Sequence, residues 1–200
     1  MSGKKRNTVG EVPPEEGKVL LHVCCAPCSG AIVESLVQGG IRPVLFFSNS
    51  NIFPAAEFEK RYAEVLRYAA LFGLEVVCDE YAPAAWLEAV KGLEDEPERG
   101  RRCSVCFRFR LERAAAYASE HGFSVLATTL ASSRWKDLAQ VDAAGEEVCA
   151  RYPGVVWWGR NWRKGGLQER RSAIIKEQQF YNQLYCGCPY SENYSISEER

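Results

Sequence analysis

Short apolar runs alternate with segments of helical periodicity along most of this chain, and few folds accommodate that alternation. The runs cover residues 19–23, 43–47, 74–78, 124–129 and 155–158, each the pattern of a buried strand. Between and after them, 29–38, 55–72, 83–91, 106–120, 136–151 and 170–185 read as helices. Gly39-Gly40, Gly73 and His121-Gly122 supply stop signals, and Gly145 weakens the fifth helix. A charged loop marked by glycine and proline fills 92–102. Strands joined through helices run parallel with right-handed crossovers. The expected fold is α/β, a single Rossmann-like (HUP-like) parallel five-stranded sheet in the order 3-2-1-4-5, flanked by helices. Residues 1–17 are polar and read as a flexible leader, and 18–200 as one α/β catalytic domain.

The hydrophobic share of 46% and charged share of 26% are those of a soluble globular protein. No apolar run reaches the roughly 18 residues of a membrane span, so no membrane partner is expected. The first residues lack the apolar stretch of a secretory signal, which points to a cytoplasmic protein. The net charge of −1 means that a nucleic-acid partner would need local basic patches.

Nine cysteines in a chain of this kind are unusual. In a reducing compartment structural disulfides are disfavoured, and clustered thiols point to metal, an iron–sulfur cluster or redox work. Seven fall in three groups: Cys24-Cys25-Ala-Pro-Cys28, Cys103-Ser-Val-Cys106 and Cys186-Gly-Cys188. Cys78 and Cys149 lie in apolar or helical patterns and read as buried small hydrophobes. Cys103 and Cys106 are spaced to reach one metal or one cluster. Adjacent thiolates such as Cys24 and Cys25 bite a single tetrahedral zinc poorly, yet can serve different corners of a cubane. A [4Fe–4S] centre on Cys24, Cys25, Cys103 and Cys106 is one reading, and zinc on the same ligands is the other. Cys186 and Cys188 would close a small, strained and easily reduced disulfide, or hold a second metal together with Cys28. At a helix start Cys28 would gain thiolate character from the macrodipole, or simply pack there.

In a sheet of this order, ligands occupy the crevice beyond the carboxyl ends of the strands. Cys24 and Cys25, Asn49 and Asn51, Asp79 and Tyr81, Thr128 and Thr129, and the segment Arg163-Lys164-Gly165-Gly166 follow or close successive strands. Asn49 and Asn51 are candidates to hydrogen-bond a ligand, or plain turn residues. Asp79 and Tyr81 are candidates for proton delivery or metal ligation, with packing the other reading of Tyr81. Arginines 99, 101, 102, 108, 110 and 113 crowd the central cysteine pair. Arg160, Arg163, Lys164, Arg170 and Arg171 crowd a second stretch interleaved with Trp157, Trp158 and Trp162. Arginine with aromatics suits RNA, although charge runs also form ordinary solvated faces.

The succession HVCCAPC, NSNIFP, the Arg-rich Cys103-x-x-Cys106, TTL, KGG and YCGCPYS resembles the cobalamin-independent epoxyqueuosine reductases from about Val19 to Tyr194. The resemblance implies reduction of the epoxide of epoxyqueuosine to queuosine at the wobble position of tRNA. It implies a [4Fe–4S] cluster on Cys24, Cys25, Cys103 and Cys106 and an additional mononuclear iron beside it. It maps the redox or second-metal pair to Cys186 and Cys188. Arg101, Arg102, Arg163 and Lys164 would hold anticodon phosphates, and an electron donor such as a ferredoxin or flavodoxin would be needed. The chain departs from the family pattern at Ser132-Ser133-Arg134-Trp135-Lys136 and at Gln168-Glu169-Arg170-Arg171, both bearing on substrate contacts.

Three other readings compete. Adenylate chemistry would need a Gly-rich phosphate loop after the first strand, where the chain has CCAPCSG instead. The cysteine groups also suit a zinc-stapled RNA-binding module, or a thiol–disulfide reductase.

Overall fold

The computed structural model describes residues 17–191, so the expected leader lies, apart from Gly17, outside the described residues. Five parallel strands form one sheet in the order β3-β2-β1-β4-β5, as the alternation of patterns requires. They are β1 (Val19–His22), β2 (Val44–Phe47), β3 (Val76–Cys78), β4 (Val125–Thr128) and β5 (Val156–Trp157). The helices are α1 (Ala26–Gln38), α2 (Ala55–Ala70), α3 (Pro83–Ala89), α4 (Arg101–Glu120), α5 (Leu138–Cys149) and α6 (Leu167–Glu177). A 3-10 turn, Thr129–Ser132, follows β4.

Central β1 and β4 are buried along their full length, which explains why each is apolar up to its last residue, His22 or Thr128. α1 packs with α2 and α6, and α4 with α5, so helices cover the sheet. In the parallel register His22 lies opposite Phe46 of β2 and Thr128 of β4. The chain therefore reverses its direction of travel across the sheet at β1 and β4, and the loops leaving these two strands open a crevice there. No helix among the described residues is long and apolar enough to cross a membrane.

Each helix has at least one boundary that differs from the one read in the sequence, and three of the differences bear on the cysteine groups. α1 starts at Ala26 with Cys25 as its extended N-cap and Pro27 in the first turn, where a missing N–H is harmless. α4 starts at Arg101, not Cys106, because the Glu96 carboxylate accepts the Arg101 N–H at 3.0 Å and closes the helix start. Cys103 and Cys106 thus sit together in its first turns. α6 ends at Glu177, after which Gln179 takes a left-handed φ of 49° and the remaining residues run irregularly. Cys78 is exposed rather than buried, since it ends an edge strand, while Cys149 is buried.

Gly145 has a packing role in α5. A Cβ there would lie 2.2 Å from the Trp157 ring, so the bare glycine lets β5 seat its indole on the helix.

Candidate metal centre

The first cysteine group is built by the turn from β1 into α1. The sulfurs of Cys24, Cys25 and Cys28 lie within 4.8 Å of one another and all three residues are buried. Cys24 and Cys25 sulfurs are 3.9 Å apart. Thr129 fixes the first of them: its Oγ1 accepts the Cys24 N–H at 3.1 Å and donates to the Cys24 sulfur at 3.4 Å. Cys28 is the third residue of α1, so the group sits at the positive end of that helix. Thiol hydrogen bonds from Cys25 and Cys28 hold Cys24 well below the usual thiol range. The same bonds, with burial, push Cys25 up. One thiolate shared among three sulfurs is a donor set able to hold a metal.

The second group lines an adjoining pocket that opens to solvent. Cys103 and Cys106 reach it from α4, and Cys186 and Cys188 from the C-terminal segment. Trp86 of α3 packs against Cys106 and Cys188. Burial pushes the Cys103 thiol up to about 11. Cys186 is lowered to about 5 by the Cys188 thiol, with Lys136 adding to the effect. Lys136 lies within electrostatic reach of Cys186, Cys24 and Cys28, and Arg110 lies beside Cys24 and Cys106. These two cations stand between the groups and place seven of the nine cysteines in one neighbourhood. Within it Cys28 lies with Cys24 and Cys25, while Cys103 and Cys106 share the pocket lining with Cys186 and Cys188.

Docking of the C-terminal segment completes the site. Arg61, ion-paired with Glu57 at 2.6 Å, donates to the Cys186 carbonyl at 3.0 Å and the Tyr185 carbonyl at 3.3 Å. Arg102 donates to the Tyr190 carbonyl at 2.9 Å, and Ser191 donates to Glu98 at 2.6 Å. The Phe53 N–H donates to the Gly187 carbonyl at 2.8 Å. Gly187 has a φ of 107°, and a Cβ there would lie 2.8 Å from Ile52. The residue between the two cysteines therefore has to be glycine.

The polar candidates divide. Asn51 is buried, lines the cavity and keeps an Oδ1 with no protein partner. Asn49 is fully engaged, donating to the Val23 carbonyl at 2.9 Å and accepting from Arg110. Asp79 does not line the cavity. It accepts from Ser48 at 2.6 Å and pairs through both oxygens with Arg113, clamping the ends of β2 and β3 to α4. Tyr81 donates to the Ile52 carbonyl at 2.7 Å and packs on Phe58.

The arginines mostly hold the protein itself. Cys103, Cys106, Arg110 and Arg113 share one face of α4, so the chain that presents the thiols also presents guanidiniums to the strand ends. Arg110 donates to the Ser48 carbonyl at 3.2 Å. Arg102 also donates to the Leu93, Glu94 and Glu96 carbonyls. Arg101 pairs with Glu96 at 2.7 Å but remains largely exposed, as does Lys164. Arg163 holds the Ser133 and Lys136 carbonyls at 2.5 and 2.7 Å. Arg170 grips Glu34, and Arg171 donates to the Pro27 carbonyl at 2.8 Å, so this basic pair seats α6 on α1. Trp158 and Trp162 are core residues stacked edge to face, out of reach of a base. The structure also brings Lys136, Trp135 and Gln183 to the site; the first two lie in the segment 132–136 where the chain departs from the family pattern, whereas only adjacency to YCGC could have pointed to Gln183.

Comparison with known proteins agrees with this geometry. The family model described as Epoxyqueuosine reductase QueH matches residues 19–194. A protein of Histophilus somni named Epoxyqueuosine reductase QueH is 45% identical over 181 residues, covering 90% of this chain and 74% of that one. The Acinetobacter baylyi protein of the same name is 44% identical, over 90% of this chain and 83% of its own. That of Thermotoga maritima is 37% identical over 178 residues, 88% of this chain and 90% of its own. A five-stranded parallel sheet with its thiols gathered at one mouth, matched along nearly its whole length, places this chain in the epoxyqueuosine reductase QueH family.

Proposed function

We propose that this chain reduces the epoxide of epoxyqueuosine in tRNA to the alkene of queuosine in the cytoplasm. The cofactors of this reading are a [4Fe–4S] cluster on Cys24, Cys25, Cys103 and Cys106 and an additional iron held by Cys28, Cys186 and Cys188. The observation that carries it is the convergence of free thiols from three distant stretches of chain at the β1 and β4 ends. The donor set fits iron: sulfur dominates it, and the unpartnered Asn51 Oδ1 is a buried acceptor that a bound group or its ligand would satisfy. When bound, such a cluster supplies electrons singly, and an iron with an open position supplies a Lewis acid to the epoxide oxygen.

The net reaction adds two electrons and two protons and releases water. The chain's own part is to arrange charge and exclude solvent. Lys136 offsets the thiolates of Cys24 and Cys186. Trp86 and Phe107 form apolar wall against bulk water. Asn51 offers hydrogen bonds to the reacting nucleoside. Arg101 and Lys164, the exposed two of the four candidate cations, meet RNA phosphates, whereas Arg102 and Arg163 hold the loops around them. A reduced ferredoxin or flavodoxin is the class of donor suited to single-electron delivery.

The test is incubation of epoxyqueuosine-containing tRNA with anoxically prepared protein and a chemical reductant, followed by nucleoside mass spectrometry. Queuosine is the expected product. Binding of tRNA without conversion would favour a zinc-stapled RNA module, and reduction of small disulfides without RNA a thiol–disulfide reductase. Cys103→Ala is expected to lose the iron chromophore; a full cluster in that variant would refute the ligand set.

A further inference from the structure

Trp135 is 65% exposed, while the chain's other tryptophans are buried or half-buried. It stands on the cavity lining with Cys103, Cys106, Cys186 and Cys188. An indole left in water gains nothing from burial, so its loop would be expected to be loosely held. The opposite is found. Arg99 donates to the Trp135 carbonyl at 3.1 Å and to the Arg134 carbonyl at 3.4 Å. Arg163 donates to the carbonyls on either side, Ser133 and Lys136. Four successive carbonyls are thus held by two guanidiniums.

Arg99 has a left-handed φ of 67°, costly for a residue with a side chain. In that conformation its N–H donates to the Cys103 sulfur at 3.3 Å and its carbonyl accepts from Gln140 at 2.7 Å. One strained residue therefore ties a cavity thiol to the tryptophan loop. Arg134 lies 4.9 Å from the indole centroid. The ensemble is a rigid, exposed aromatic plane at the mouth of a thiol-lined cavity, flanked by the exposed Arg99 and Arg134.

We infer that Trp135 is a stacking platform for a nucleobase of the RNA loop that delivers the reacting nucleotide. Single-stranded loops expose unpaired bases, and these bind proteins by stacking on aromatic side chains while cations meet the phosphates. A platform fixed before binding avoids the ordering cost of forming it on contact. The inference rests on the reading of the substrate as tRNA. It assigns RNA positioning to a residue outside both basic stretches, whose arginines are largely occupied within the protein.

The test uses iron-loaded holoenzyme, epoxyqueuosine-containing tRNA and a chemical reductant, so that no protein donor is present. Trp135→Ala is expected to raise KM for tRNA roughly 5- to 150-fold, with kcat moving far less. Trp135→Phe is expected to recover most of the loss, and iron content to stay at the wild-type level in both. The free epoxyqueuosine nucleoside lacks the neighbouring bases, so its KM is expected to move far less than that of tRNA. Unchanged KM for tRNA would overturn the inference, as would an equal rise for the nucleoside. A defect confined to assays with ferredoxin or flavodoxin would also overturn it, and would assign the indole to donor docking. If the wild-type protein binds tRNA but converts none, the reading of the reaction fails. Tryptophan quenching by tRNA, present in wild type and lost in Trp135→Phe, then still decides the stacking.

Discussion

The Gln183 side-chain N–H donates to the Cys25 sulfur at 2.8 Å, joining residues 158 positions apart. The irregular C-terminal segment is thereby held against the buried first cysteine group. Gln183→Ala removes one hydrogen bond, so its unfolding free energy is expected to fall by only about 1 kcal/mol. Iron is nevertheless expected to pass to a chelator faster than from wild type. Equal release rates would show that the segment does not shield the metal.

Arg61 and Glu57 form a buried pair, and Arg61 also carries the carbonyls of Tyr185 and Cys186. Arg61→Met strands Glu57 as an uncompensated buried charge, with an expected cost of about 3–5 kcal/mol. Adding Glu57→Leu should recover much of that stability without restoring the grip on Cys186. Urea midpoints of the single and double variants check the first effect. Alkylation of Cys186 in metal-free protein checks the second.

Gly187→Ala places a methyl 2.8 Å from Ile52 at a φ of 107°. The expected result is release of the segment carrying Cys186 and Cys188 with the sheet intact. In metal-free protein, circular dichroism should stay native while both thiols become reactive. Wild-type thiol reactivity in this variant would contradict the docking described here.

His22 is fully buried, with Nδ1 2.7 Å from Thr128 and Nε2 3.1 Å from the Ser48 carbonyl. Burial, then Arg110, lowers its pKa from 6.5 to about 3. The unfolded chain takes up a proton below pH 6.5 and the folded chain does not until near pH 3. Its stabilisation is therefore complete above pH 6.5 and is lost as pH falls towards 3. Between pH 7 and 5, wild type should lose about 2 kcal/mol more stability than His22→Gln. Parallel losses in denaturant titrations would contradict the assignment.

The strand order was legible because buried parallel strands leave short apolar runs, as Val19 to Leu21 and Val125 to Ala127 do before the polar His22 and Thr128. The cysteine groups were legible because close spacing survives any fold. Which groups meet was not, because that depends on contacts such as Arg61 to Cys186, made between residues far apart in the chain. The arginines misled for a related reason. A guanidinium that binds a carbonyl looks, in sequence, like one that awaits a phosphate, as Arg102 and Arg163 show. Gly145 looked like a flaw in a helix until Trp157 was seen resting on it.

Iron, acid-labile sulfide and zinc, counted per chain in protein prepared without oxygen, test the gathering of these thiols around iron most directly. About four sulfides with at least about four irons are expected, and little zinc. One zinc per chain, with neither iron nor sulfide, would contradict it.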